Sequence, residues 1–473
     1  MTSYPLAYRD ATELAGLIAS GQLSPLELME RTLARLDQFE PRINAFSHVM
    51  RAEALAAARK AEARCSTGEP LPPLHGIPVS VKDLIAVGGV PYAFGSRAFA
   101  DNIAAADAPA VERLRRAGAI VIGKTTTSEL GCKAVGDSPL TGITRNPWDL
   151  STTPGGSSAG AAASVAAGIT PIALGTDGGG SIRIPAALTG LFGIKGQFGR
   201  VPVFPRSATP ELAHVAPLSR SVRDAALLLG IISGYDARDP GSLPQPVPDF
   251  VQACDQPMRR FRIAWSPTFG YARPDPEVLA IVERAVQTLG TLGCEIELVE
   301  APFGPDPADA WSLIFYSQVA ARVESILKTD PDLLDPAVRP WLQAAKQRSV
   351  MDYCQAANVR HELYQRLRGL FDRFDLLVSP TLPLSSVEAG ITIPPGFEHC
   401  NPVTWTSYTY PFNLTGNPAA SVPVGFTTRG HPVGMQLVSR PYAEADLFCI
   451  ASAFEAACPW SPAIPQALEA AVE

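Results

Sequence analysis

No stretch of this chain approaches the roughly 18 uninterrupted apolar residues that a membrane-spanning helix needs. The N-terminus, MTSYPLAYRD, lacks the basic and then apolar regions of a secretory signal. There is no long basic run and the formal net charge is −7, so nothing points to a nucleic-acid or anionic-membrane partner. The eight cysteines (Cys65, Cys132, Cys254, Cys294, Cys354, Cys400, Cys449 and Cys458) form no C-x-x-C pair and follow no regular spacing. That argues against a disulfide framework and against a zinc site. Together these absences make a soluble cytoplasmic protein the expectation. Charged residues are scarce at 18%, while hydrophobic residues reach 46% of 473, enough to bury a full core.

The pattern of elements predicts an α/β fold. Residues 1–60 read as helical: Ser24-Pro25-Leu26-Glu27 is a capping box with proline at the first helical position, and Leu26, Met29, Leu33 and Leu36 then share one face. Residues 70–230 alternate short β-rich runs (Ile77 to Val81, Ala119 to Ile122, Ile172 to Leu174) with helix-like segments and glycine-dense loops. Alanine-rich Ser157 to Gly168, after Pro154-Gly155-Gly156, reads as a tight loop opening a buried helix. A proline-rich surface connection precedes a mainly helical part, 235–370, which itself begins with strand-like Phe261 to Trp265, an amphipathic helix from Pro276 to Leu292 and strand-like Cys294 to Val299. Residues 371–473 return to strand character at Leu376 to Val378, Ala420 to Val424 and Met435 to Val438, and are expected to complete the same sheet. With no internal repeat, one domain over 1–473 is the expectation.

Three segments carry chemistry. In Gly76-Ile77-Pro78-Val79-Ser80-Val81-Lys82-Asp83, a lysine ends an apolar strand. The bland outcome is that Lys82 snorkels outward or pairs with Asp83; drawn inside, desolvation would make it a neutral base. In Pro154-Gly155-Gly156-Ser157-Ser158-Ala159-Gly160, glycines allow a sharp turn before a helix N-terminus. A serine N-cap or a phosphate cradle would use the same features, but no nucleotide-binding glycine pattern is present. In Asp177-Gly178-Gly179-Gly180-Ser181-Ile182-Arg183, consecutive glycine amides before a serine can converge on a developing oxyanion.

Taken together, these segments closely resemble the signature of the amidase signature family, as does the spacing of Ser157 and Ser181. The resemblance extends to Gly123-Lys124-Thr125, Asn146-Pro147-Trp148, Gly193-Ile194-Lys195, Pro217-Leu218-Ser219-Arg220-Ser221 and Asn413-Leu414-Thr415-Gly416-Asn417-Pro418. It implies a large twisted mixed sheet covered by helices on both faces, and a serine amidase of small-molecule amides that needs no metal or organic cofactor, as a possible homodimer. Carried over by position, Ser181 is the nucleophile, Ser157 follows a cis peptide bond and bridges Ser181 to Lys82, and the amides of Gly178, Gly179, Gly180 and Ser181 form the oxyanion hole. Candidates to line the substrate pocket are Leu130, Gly131 and Cys132, then Trp311, Phe315 and Tyr316, and also Trp405 and Tyr408. For each aromatic, ordinary core packing is the competing expectation.

Other readings are open to the sequence. Gly156-Ser157-Ser158-Ala159-Gly160 satisfies the G-x-S-x-G elbow of α/β-hydrolases, with Ser158 at its centre and His361, His399 or His431 available as the base. That elbow needs a preceding strand, which Asp149 to Pro154 does not resemble. The family also includes the glutaminase subunit of the tRNA-dependent amidotransferase; there an acidic residue is expected before the Asn-Leu-x-Gly segment, whereas Trp405 to Pro411 is aromatic and has none. A binding protein that keeps the fold without catalysis is the third, although all three catalytic residues are present.

Overall fold

A computed structural model describes residues 5–460 and 463–469. The opening helices are Ala11–Ala19, Pro25–Ile43 and Arg51–Cys65. Ser24 caps the second of these, accepting from the amides of Leu26 and Glu27, with Pro25 at the first position. The expected reciprocal arm of a capping box is not what forms. The Glu27 side chain pairs with Arg31 at 2.7 Å, and the Ser24 hydroxyl donates instead to Glu62 of the next helix. Met29, Leu33 and Leu36 are buried as one face and Leu26 packs at its margin. Asn44, in the left-handed region at φ 50°, ends the helix. The chain then forms an edge strand, β1 (Phe46–Val49), inside the stretch that reads as all helix.

Further strands follow as β2 (Pro78–Lys82), β3 (Ile120–Thr125), β4 (Asp137–Ser138), β5 (Gly142–Ile143), β6 (Ile172–Asp177), β7 (Phe192–Lys195) and β8 (His214–Ser219). The later ones are β9 (Arg262–Trp265), β10 (Glu295–Leu298), β11 (Leu376–Pro380), β12 (Ala419–Phe426) and β13 (Pro432–Ser439). β4 and β5 make a separate hairpin; the other eleven form one mixed sheet in the order β1-β3-β2-β6-β8-β7-β12-β13-β11-β9-β10. The C-terminal strands do complete the sheet begun near the N-terminus, since β12 pairs antiparallel with β7 through Ala419↔Lys195 and Ala420↔Ile194. The largest hydrophobic cluster runs through it from Ala11 to Trp460.

Two features of this order place the site. First, β2 lies between β3 and β6 and is parallel to both, so all five of its residues are buried, including the terminal Lys82. Second, parallel neighbours end at the same edge, where ligands are bound in open α/β sheets. Lys82 ends β2 and Asp177 ends β6, so the glycine turn that follows β6 emerges beside Lys82. The helix Ala159–Ala166, buried along its whole length, packs against β2 and β6 and brings the preceding loop to the same edge. The helices Ala308–Arg322, Glu324–Thr329, Arg339–Lys346 and Val350–Phe371 make up the mainly helical part. All eight cysteines are unpaired.

Candidate active site

Lys82 neither snorkels nor pairs with Asp83. Asp83 is taken by Lys124 at 3.3 Å and by the amides of Ala93 and Gly95. The Lys82 Nζ is instead surrounded by hydroxyl oxygens: Ser157 Oγ at 2.7 Å, Ser158 Oγ at 2.9 Å and Thr176 Oγ1 at 2.9 Å. Burial lowers its amine well below the ordinary 10.5, only partly opposed by the Asp177 charge. The Ser158 hydroxyl donates to the Thr176 carbonyl at 3.1 Å, so towards Lys82 its oxygen can only accept.

Ser157 follows a cis peptide bond from Gly156, as the resemblance implies. Its side chain and that of Ser181 open into one cavity, also lined by Thr176 and Gly178. Among the described residues no hydrogen bond joins the two hydroxyls directly. Gly131 lines the same cavity, so close that a Cβ there would stand 3.2 Å from Ser157 Oγ.

The turn after β6 is fixed on all sides. Asp177 accepts from the Gly180 amide at 2.8 Å, the Ile182 amide at 3.2 Å and two nitrogens of Arg183 at 3.0 and 2.9 Å. Burial alone would raise the Asp177 carboxyl, but the Arg183 guanidinium, with Lys195 and Asn413, holds it far below the usual range. Arg183, fully buried, places its remaining N–H groups on Thr409 O, Gln436 Oε1 and Asn413 Oδ1, so all five of its donors are used. The Gly180 amide is therefore committed to Asp177, which corrects its expected place in an oxyanion hole. Gly180 has φ 130°, and a Cβ there would collide with Thr409.

The other peptide planes of the turn are held by their carbonyls. Asp177 O accepts from Asn413 Nδ2 at 3.1 Å and meets His214 Nδ1 at 3.1 Å. Gly178 O accepts from Trp311 Nε1 at 3.0 Å, and Gly179 O from Thr409 Oγ1 at 2.6 Å. In a trans peptide the C=O and the next N–H point in opposite directions. Fixing the carbonyls of Asp177 and Gly178 thus aims the amides of Gly178 and Gly179 the other way. Among the described residues neither amide, nor that of Ser181, has a backbone or side-chain acceptor.

Behind the turn, burial and then the Arg183 charge lower Lys195 well below an ordinary amine, and it donates to Asn417 O and to His214 Nε2 at 3.3 Å. Burial and Lys195 push His214 down to about 3, so its ring is neutral near pH 7. His214 lines the cavity and carries no distinguishing signal in sequence. Thr176 was likewise missed, although it directly precedes the aspartate of the signature. The walls come from Leu84, Tyr92, Phe94, Leu130 and Phe315, with residues 202–209 as a cover.

Several candidates lie elsewhere. Trp405 is fully buried against Ala134, Ile184 and Leu188, away from the cavity lining. Cys132 is fully buried and off the cavity lining, and burial raises its thiol well above the ordinary value. Tyr316 and Tyr408 are core residues whose hydroxyls donate to Cys132 O and Pro267 O. Trp311 acts on the turn and does not line the cavity. The stretch Trp405 to Pro411 is buried and off the lining, so its lack of an acid does not discriminate between substrates. The elbow reading of Ser158 fails: no strand precedes it, its proton is committed to Thr176 O, and His431 pairs with Asp149 at 3.0 Å.

Comparison with known proteins shows the family. The sequence profile of the amidase family matches residues 27–448. An acylamidase of Rhodococcus erythropolis is 36% identical over 471 residues, covering 98% of both chains. A glutamyl-tRNA(Gln) amidotransferase subunit of Chloroflexus aggregans (strain MD-66 / DSM 9485) is 36% identical over 468 residues, covering 94% of this chain and 95% of its own. The crystal structure of a bacterial aryl acylamidase superimposes with a TM-score of 0.91 at 33% identity, over 98% of this chain and 99% of that one. The chain belongs to the amidase signature family, as a hydrolase of carbon–nitrogen bonds in amides.

Proposed function

We propose that Ser181 is the nucleophile of a free-standing amidase, and that Lys82 acts on it as a neutral base through Ser157. The observation that carries this is the setting of the Lys82 amine. A neutral amine has two N–H groups and one lone pair. Ser158 can only accept, which uses one N–H; Thr176 Oγ1 at 2.9 Å and Ser157 Oγ at 2.7 Å each carry a proton of their own. In the proposed arrangement the second N–H goes to Thr176, and Ser157, the nearer of the two, donates its hydroxyl to the Lys82 lone pair. Ser157 in turn receives the Ser181 proton as Ser181 Oγ attacks the amide carbonyl across the cavity.

The developing oxyanion is held by the amides of Gly178, Gly179 and Ser181. On collapse the C–N bond breaks and the relayed proton goes to the leaving nitrogen, giving an acyl-enzyme and a free amine or ammonia. Water then attacks the acyl carbon, its proton returns along the same hydroxyls, and the acid leaves. The chain works as one unit over residues 1–473, acting on small-molecule amides in the cytoplasm.

A glutaminase subunit of an amidotransferase is the second reading, favoured by the identity to the Chloroflexus aggregans protein. Against it, the cavity lining contains no aspartate or glutamate to receive the amino group of glutamine. Amine release from a panel of primary amides, anilides and glutamine decides between them, with Ser181→Ala run in parallel. Release from anilides that falls by about 10³-fold or more in the variant is expected. Release that survives Ser181→Ala contradicts the nucleophile, and release from glutamine alone favours the second reading.

A further inference from the structure

The mouth of the catalytic cavity carries two arginines that the reaction does not use. Arg206, on the cover, and Arg322, in the last turn of the helix Ala308–Arg322, line both the cavity and an outer groove that continues from it. Among the described residues neither has a carboxylate partner or a hydrogen-bond acceptor. The Arg322 guanidinium lies 4.9 Å from the centre of the Phe94 ring, which holds its charge against an apolar wall of the cavity.

The groove strengthens the same sign. Its charged residues are Arg206, Arg322, Lys346 and Arg348 against Glu211 and Glu324. Glu211 is engaged by Arg360 at 2.9 Å and Tyr353 at 3.0 Å, and Glu324 by Lys328 at 2.7 Å; of the cations, Arg348 pairs with Asp352 at 3.3 Å and Lys346 reaches Glu324 at 4.0 Å, which leaves Arg206 and Arg322 as the uncompensated pair. A chain of net charge −7 thus presents a cationic approach to a cavity whose walls are largely apolar and whose lining has no acid. Such a field draws anions towards the cleft and raises their rate of encounter.

We propose that the amides this protein prefers are apolar beside the scissile bond and end in an anionic oxyacid group, which Arg206 and Arg322 receive at the mouth while the carbonyl sits at Ser181. The proposal rests on the amidase reading above. It leaves the anion on whichever half of the amide points outward, so the test carries one pair of probes for each half.

On the acyl side, the mono-4-nitroanilide of pentanedioic acid is compared with the 4-nitroanilide of pentanoic acid. On the amine side, the pentanoyl amide of 4-aminobenzoate is compared with that of 4-methylaniline. In one pair the acid is expected to exceed its neutral partner by about tenfold or more in kcat/KM, the scale of a charge-assisted hydrogen bond. That ratio should shrink in Arg206→Met/Arg322→Met and in wild type at high salt. A ratio at or below one in both pairs, or a ratio that survives the double substitution, overturns the anion site. Hydrolysis of none of the four probes contradicts the amidase reading and the anion site with it.

Discussion

Lys82 has three hydroxyl oxygens and no carboxylate within hydrogen-bond reach of its amine, which is the setting of the proposed base and not of a structural cation. Residue by residue, the signature positions were legible because each is a chemical oddity in its own stretch: a lysine ending an apolar strand, serines beside clustered glycines. Trp311 was not legible in its role, since an indole on a helix more than a hundred residues away looks like core. Its N–H nevertheless holds the Gly178 carbonyl at 3.0 Å, and a Cβ on Gly179 would meet its ring at 2.5 Å. Trp311→Phe keeps most of the packing and removes the donor. It is expected to lower kcat about tenfold with little change in KM, the scale of one lost hydrogen bond. A rise in KM at unchanged kcat would mean that the indole contacts substrate in place of aiming the Gly179 amide. Trp405 failed for the converse reason: aromatic residues near a motif are still mostly core, and this one packs on Ile184 and Leu188.

Among the elements, strands with strong β-branched runs were placed within a few residues, whereas β1, β4, β5, β7 and β8 went unassigned. β1 is four residues long and exposes part of its length at the sheet edge, too short for alternation to register. The segment 202–209 has no periodicity at all, yet it lines the cavity. The N-terminal helix Ala11–Ala19 is moored by an acid cluster that the sequence did not announce. The amides of Ala11 and Thr12 donate to Asp224 at 2.6 and 2.9 Å, and that of Val222 donates to Glu455 at 3.2 Å. Burial, reinforced by Asp10, raises Asp224 to about 6; burial, again with Asp10 and then Asp224, raises Glu455 to about 8. Acids raised in this way give stability that is fully present below their ordinary range and lost as pH rises through the folded values. The thermal midpoint of wild type should therefore lose ground to that of Glu455→Gln, which keeps an acceptor for Val222, as pH rises from about 4 to about 8. An equal fall in wild type and variant would contradict the cluster's role.

At the scale of the whole molecule, the sheet joins residues 46–49 to residues 432–439, and the site exists only because it does. β2 contributes the lysine and the turn after β6 the second serine. Asn413 and Thr409 from the C-terminal part, and Trp311 from the helical part, fix that turn. The sequence could announce the parts through their motifs, but the drying of Lys82 is a property of the assembled layers. Complete burial is what lowers the amine, so the proposed base is a product of the fold. The most direct test is the pH dependence of kcat/KM for a neutral anilide. It is expected to rise with pH along one acid limb, as Lys82 loses its proton, with a midpoint well below 10.5. A profile that is flat, or that falls as pH rises, would contradict a neutral lysine as the base.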